Sequence, residues 1–359
     1  MNNQNDYNDN KKITYHEQTD ISNILKLREV LKTLPPFCRD YFRAMDPVTT
    51  TNTRISYAYD IRIFFQFLLD ENPAFKNYSL KDFTVDVLDQ LKAVDIEEYL
   101  EYLKVYKNGD KTETNGERGM KRKLSALRSF YAYYFKHEFI KTNPTVLVDV
   151  PKIHDKSIIR LDSDEVALLL DHIEHCGDEL TGQKRVYYEK TKERDLAIVT
   201  LLLGTGIRVS ECVGLDVEDI DFKNNGIKIT RKGGNEMVVY FGPEVERALR
   251  QYLEVREGVT PVTGHEHALF YSTQRKRIGI QAVENLVKKY ARAITTTKKI
   301  TPHKLRSTYG TALYQETGDI YLVADVLGHR DVNTTKKHYA AMDDARRRKA
   351  ASAVHLRED

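Results

Sequence analysis

Gly204-Thr205-Gly206-Ile207-Arg208-Val209-Ser210-Glu211 is the stretch on which this chain turns. The apolar run Asp195 to Leu203 before it reads as a helix, and the Gly-Thr-Gly break stops that helix. Arg208 then lies at or just inside the start of the next one. Glu211 follows three residues on, hence on the same face. An arginine fork can grip two non-bridging phosphate oxygens, and a carboxylate beside it can fix its rotamer. Taken alone, the pair reads as an ordinary surface ion pair.

Downstream come three short strand-like runs, Asp219 to Phe222, Ile227 to Thr230 and Met237 to Phe241. Asn224-Asn225-Gly226 joins the first two and Lys232-Gly233-Gly234-Asn235 the second two. Both are strong hairpin signals. After Pro243 the chain reads mainly as helix.

Upstream, Met1 to Lys12 is rich in Asn and Asp and reads as a disordered tail, followed by helix to about Phe42. The Thr49–Thr53 segment caps a helix over Arg54–Asp70, with Ile55, Tyr59, Ile63 and Phe67 as its buried face. A second helix runs from Asp95 to about Tyr106. Its stripe is Ile96, Tyr99, Leu100 and Leu103. Lys107 to Gly116 reads as a loop. A third helix, about Glu117 to His137, buries Met120, Leu124, Leu127, Tyr131 and Tyr134. Its start is crowded with Arg118, Lys121, Arg122, Lys123 and Arg128. These basic residues are candidates for phosphate contact, although a solvated helix face looks the same in sequence.

Val146 to Arg160 reads as a linker. A helix restarts at Asp162 or Ser163, and Gly177 to Arg194 turns polar and loop-like. The expected domains are therefore a polar extension over 1–35, a helical domain over 36–145, a linker over 146–160, an α+β domain over 161–345 and a tail over 346–359. The fold class is mainly α with a small antiparallel β-sheet.

Composition narrows the function classes. At 359 residues, two domains are expected. No apolar run approaches the ~20 residues of a membrane span. The start lacks the apolar segment of a secretory signal. Cys38, Cys176 and Cys212 are far apart and form no CxxC pair, which suits a reduced, cytoplasmic protein without structural zinc. A net charge of +3 is weak evidence for nucleic acid, so a DNA surface must come from clustering.

Further candidates follow in order. Lys232 sits at a hairpin tip, where lysines are usually just solvated. A tip can also deliver an ammonium to a departing oxygen as a general acid. His303 and Arg306 lie one helical turn apart after Thr301-Pro302, which suits an N-cap and first helical residue. They point the same way, at a helix end that favours anions. His329 follows Leu327-Gly328, where the glycine ends a helix. Tyr339 is one of 22 tyrosines and means little alone. A phenol, with pKa ~10, attacks poorly unless cations stabilise its phenolate.

In this order and these contexts, the residues resemble the tyrosine recombinase (phage integrase) family. The similarity is strongest from about Asp162 to Ala345 and weaker from about Pro36 to Thr145. It implies a two-domain, C-shaped clamp around duplex DNA. Arg208 and Arg306 would hold the scissile phosphate, with Glu211 supporting Arg208. Lys232 would protonate the 5′-oxygen leaving group, His303 would assist proton transfer, and His329 would hydrogen-bond a non-bridging oxygen. Tyr339 would attack phosphorus to give a 3′-phosphotyrosyl link. That link conserves the phosphoester, so no ATP is needed, and the chain has no Walker A motif. Cationic side chains replace a metal, and no cofactor is expected.

The resemblance further implies cleavage of double-stranded DNA at an inverted-repeat core site. A dimer would occupy each site, a homotetramer would form on DNA with or without a second recombinase, and exchange would pass through a Holliday junction. The segment after Tyr339, ending Ala345–Ala350, would be a helix that docks on a neighbouring protomer or simply a solvated basic tail. Within the family the chain is most like Xer-type recombinases, whose role is chromosome dimer resolution. Some 35 residues before the helical domain are too few for a separate arm-binding domain. Tyr339 lies ten positions after His329, where many Xer-type members have nine, so the integrase of a mobile element is the second reading. A DNA clamp that has lost its chemistry and a type IB topoisomerase are the rivals from other classes.

Overall fold

The computed structural model describes residues 14–154, 159–231, 234–329, 331, 332 and 335. The chain divides into two compact units, Met1–Asp155 and Lys156–Asp359.

The first unit is helical: α1 (Tyr15–Leu31), α2 (Cys38–Ala44), α3 (Thr51–Glu71), α4 (Val87–Gln90), α5 (Ala93–Tyr102), and α6 (Glu117–Lys136). Thr50 caps α3, its side chain accepting from the Thr53 backbone N–H. The buried face of α3 is Arg54, Ile55, Ala58, Ile61, Phe64, Phe65 and Leu68. Of the expected stripe, Ile55 and Phe67 are fully buried, whereas Tyr59 and Ile63 pack at its edge. A fixed step of four overshoots 3.6 residues per turn, so such a stripe slides around the helix.

The core is aromatic. Phe130 of α6 meets Tyr41 at 5.2 Å, Tyr134 at 5.0 Å and Phe65 at 6.2 Å between ring centroids, mostly edge to face. The Tyr134 hydroxyl donates to Phe37 O at 2.8 Å, which satisfies its polar end. Leu27, Val30 and Leu34 join this core, so α1 and the turn after it belong to the unit.

Lys107 to Gly116 is not the expected loop. An antiparallel hairpin, β1 (Val105–Asn108) and β2 (Lys111–Thr114), occupies most of it. Every β2 residue is exposed and β1 buries only Tyr106, so no alternation of apolar residues marks the strands.

The second unit is built around α9 (Lys192–Thr205), which follows α7 (Ser163–His175) and α8 (Gly182–Glu189). Helix α8 corrects the loop expected over Gly177–Arg194. It buries only Tyr188, and a helix without an apolar stripe leaves no periodic trace. Helix α9 buries Ala197, Ile198, Val199, Leu201 and Leu202 on several sides, as a central helix must. After α10 (Val209–Gly214) comes the small sheet β3 (Ile220–Asp221), β4 (Gly226–Thr230), β5 (Glu236–Tyr240), antiparallel in that order. Then follow α11 (Pro243–Glu257), α12 (Ile280–Ile294), α13 (Pro302–Thr317) and α14 (Ile320–Leu327). The stretch 259–279 is non-helical and carries two bridges, Asp216–Ala268 and Tyr271–Arg277.

A buried polar network braces this unit. Arg194 donates to the Asp195 carboxylate and to Tyr271 O, and Tyr290 OH donates to Asp195 Oδ2 at 3.0 Å. No helix among the described residues is long and apolar enough to cross a membrane. Cys38, Cys176 and Cys212 are free and buried.

Candidate active site

The site gathers at the C-terminal end of α14. Gly328 terminates that helix in the left-handed conformation, φ 61°, a region open to glycine at little cost. The last carbonyls of a helix lack intrahelical partners and carry partial negative charge. Here Asp325 O already accepts the Gly328 N–H, and three arginines from distant parts of the second unit converge on the carbonyls of this end. Arg231 Nη1 and Nη2 donate to Asp325 O at 3.4 Å and Val326 O at 2.7 Å. Arg306 Nη2 donates to Leu327 O, and Arg208 Nη2 to Gly328 O at 3.3 Å.

Each arginine arrives by its own route. Arg208 precedes α10 as its N-cap. The Glu211 carboxylate receives the Arg208 backbone N–H on Oε2 and Nη1 on Oε1, both at 2.7 Å. Glu211 is buried, while the Arg208 side chain stays 36% exposed, enough to reach a bound group.

Arg306 lies in the first turns of α13, where Thr301 is the N-cap and Pro302 opens the helix. Its guanidinium is buried, and Nη1 donates to Gly206 O at 2.5 Å. Gly206 adopts φ 63°, and a Cβ there would come within 2.3 Å of the Tyr309 ring. The Gly-Thr-Gly break therefore closes α9 and at the same time seats Arg306.

Arg231 follows β4 at the base of the β4–β5 turn, where its backbone N–H donates to Asn235 O at 2.8 Å. Burial pushes its pKa below the ordinary arginine value. Glu211 opposes that shift, and the like charge of Arg208 adds to it.

Of the two histidines, His329 is half-buried and its Nδ1 lies 2.7 Å from Thr335 Oγ1. His303 is exposed at the start of α13, so it and Arg306 differ in burial although one turn apart. Lys232 and Tyr339 lie outside the described residues, as does the segment Ala345–Ala350. The structure thus brings together Arg208, Glu211, Arg306 and His329. It adds Arg231 and Thr335, which sequence reasoning passes over. Arg231 reads there as one more turn residue, and Thr335 as part of a polar run.

The basic residues of α6 divide. Arg118 and Lys121 are exposed. Arg122 pairs with the buried Asp60 carboxylate but keeps half its side chain exposed. Lys123 is buried, donates to Asn115 Oδ1 at 2.9 Å, and has its pKa lowered by burial despite nearby Asp60. Arg128 spends its donors on Thr145 O and Val148 O. These last two hold the first unit together.

Comparison with known proteins gives a consistent picture. Residues 160–346 match the model of the phage integrase family. The chain is 32% identical over 341 residues to the tyrosine recombinase XerS of Lactococcus lactis subsp. cremoris (strain MG1363), covering 88% of this chain and 93% of that one. It is 32% identical over 348 residues to the tyrosine recombinase XerC of Caldanaerobacter subterraneus subsp. tengcongensis, covering 93% and 91%. Two solved structures share the fold. One is the XerH site-specific recombinase bound to palindromic difH substrate in a post-cleavage complex, with TM-score 0.61 and 23% identity, covering 84% of this chain and 79% of that one. The other is the Tn1549 transposon integrase in complex with a circular intermediate DNA, with TM-score 0.62 and 20% identity, covering 88% and 98%.

Proposed function

The chain belongs to the phage integrase family, and on that premise we propose that it is a Xer-like site-specific tyrosine recombinase that resolves chromosome dimers. The observation that carries this reading is the convergence of Arg208, Arg306 and His329 on the end of α14, inside the region matched by the family.

The chemistry follows from charge. A phosphodiester gains charge as a fifth oxygen joins phosphorus, and fixed cations stabilise it without reorganising. Arg208 and Arg306 hold the non-bridging oxygens. His329 Nδ1 pairs with the Thr335 hydroxyl; in the tautomer with Nδ1 as acceptor, Nε2 carries the proton that would be donated to a non-bridging oxygen. Tyr339 attacks, His303 assists the transfer of its proton, and Lys232 protonates the departing 5′-oxygen. The 3′-phosphotyrosyl link keeps the bond energy for rejoining, so neither metal nor nucleotide cofactor enters.

Double-stranded DNA with an inverted-repeat core site is the substrate. The first unit meets it through Arg118, Lys121 and Arg122 on α6. Recombination proceeds through a Holliday junction in a homotetramer, with a dimer on each site, in the cytoplasm. The ten-residue interval from His329 to Tyr339 favours one second reading, the integrase of a mobile element.

Covalent trapping on sheared genomic DNA of the source organism tests both. Adducts with the wild type and none with Tyr339→Phe, mapping to one chromosomal locus, support dimer resolution. Mapping to the border of a mobile element supports the second reading. No adducts with either protein would overturn the recombinase assignment.

A further inference from the structure

Arg231 is the arginine for which the proposed chemistry has no use, and its surroundings are unusual. Its guanidinium crosses from the β4–β5 turn to α14, where its two Nη groups cap Asp325 O and Val326 O. It packs so closely on Gly328 that a Cβ there would sit 1.6 Å from Nη1 and 2.1 Å from Cζ. Its Nε is buried and has no hydrogen-bond partner among the described residues. Arg231 spends both Nη groups on α14 carbonyls and buries its Nε, while the residue as a whole is half-buried. Leaving a buried donor unpaired costs stability, so the arrangement is poorly explained as a stabilising contact alone.

Position supplies the missing reason. Arg231 directly precedes Lys232 and opens the turn that carries it. The turn is closed by Arg231 N–H to Asn235 O at 2.8 Å and by Gly234 N–H to Arg231 O at 3.0 Å. The strand pairing of β4 with β5 runs to Thr230–Glu236, and among the described residues the hairpin backbone makes no hydrogen bond to α14. The Arg231 side chain supplies that link, and it lands beside the carbonyls that hold Arg208 and Arg306.

We infer that Arg231 is a positioning residue: it ties the base of the β4–β5 turn to the end of α14 and so aims Lys232 at the departing 5′-oxygen. This rests on the reading of Lys232 as general acid. In the step concerned, the bond from Tyr339 Oη to phosphorus forms as the P–O5′ bond breaks. The Lys232 ammonium gives its proton to O5′, and the phenolic proton goes to a base, His303 in that reading.

The test replaces the bridging 5′-oxygen of a cleavage substrate by sulfur, which leaves as a thiolate and needs no proton. On the all-oxygen substrate, Arg231→Ala is expected to cleave at least about tenfold more slowly, within the ~10²–10⁴ that a general acid supplies. On the 5′-thio substrate it is expected to match the wild type, which also shows that the variant is folded. Arg231→Lys, which cannot bridge two carbonyls with a planar fork, is expected to follow Arg231→Ala. Lys232→Ala is the control. If it is not rescued by sulfur, the general-acid reading itself fails and the inference with it. If Lys232→Ala is rescued but Arg231→Ala is slow on both substrates, or normal on both, the general acid stands and the positioning role is overturned.

Discussion

Glu211 holds Arg208 at both ends: one carboxylate oxygen takes the Arg208 backbone N–H and the other takes its guanidinium, each at 2.7 Å. The carboxylate thereby caps α10 and fixes a side-chain rotamer in one stroke. Glu211→Ala is expected to lower the urea unfolding free energy by about 1–3 kcal/mol, the cost of leaving partners unpaired. Single-turnover cleavage should fall by roughly 10²-fold, the penalty of a small misplacement of a charge. Wild-type cleavage in this variant would show that Arg208 needs no such orientation.

Removing the guanidinium itself is more severe. Arg208→Ala should reduce strand cleavage by about 10²–10³ or more, while DNA binding changes little because many other phosphates are held. Cleavage within a few-fold of wild type, measured at saturating protein, would remove Arg208 from the phosphate.

Gly328→Ala combines two faults. Its φ of 61° costs an alanine about 1–2 kcal/mol. The new Cβ would also collide with the Arg231 guanidinium. A drop in thermal stability together with loss of cleavage is the expected pair of results. An unchanged melting temperature would contradict the close packing of Arg231 on Gly328.

On the proposed reading, affinity for duplex DNA should fall steeply with salt, because exposed Arg118 and Lys121 and the arginines of the site would displace condensed counterions. The expected plot of log affinity against log salt has a slope of several units, and Arg118→Ala should reduce it by about one. A flat titration would exclude extensive phosphate contact.

The acid limb of stability has an identifiable contributor in the first unit. Asp89 accepts from Lys141 N–H, Thr142 N–H and the Thr142 hydroxyl. Burial works to raise its pKa, but these hydrogen bonds outweigh it and hold the carboxyl below its ordinary value of 3.8. A carboxyl depressed in the folded state stabilises at pH above that value, and the contribution is lost as pH falls through the lower, folded pKa. The urea midpoint of Asp89→Asn should therefore lie below wild type at neutral pH and converge with it in acid. Parallel curves would show that Asp89 plays no part.

What could be read from the sequence depended on whether a residue's role leaves a local pattern. Helix α6 announced itself because Leu124, Leu127, Tyr131 and Tyr134 recur on one face and are buried there. The hairpin β1–β2 and helix α8 did not, since both lie on the surface and bury one residue each. In the site, Arg208, Arg306 and His329 were found through flanking glycines and prolines that shape the backbone. Arg231 was invisible for the opposite reason. Its carbonyl partners lie 94 and 95 residues away, and no local spacing records a contact of that range. The distinction between Lys123, which is buried, and Lys121, which is exposed, likewise comes only from packing against Asp60 and Asn115.

At the end of α14 the three arginines meet main-chain oxygens of residues 325–328. Replacing exposed Asp325 by Asn, which keeps the carbonyl that Arg231 caps and removes only a nearby charge, should therefore leave the arrangement standing. Deleting one residue within Ile320–Ala324 would turn every later carbonyl by about 100° about the helix axis and detach all three together. This helix end is thus permissive to substitution and intolerant of insertion or deletion, a fault line that sequence drift can cross by exchange but not by a change of length.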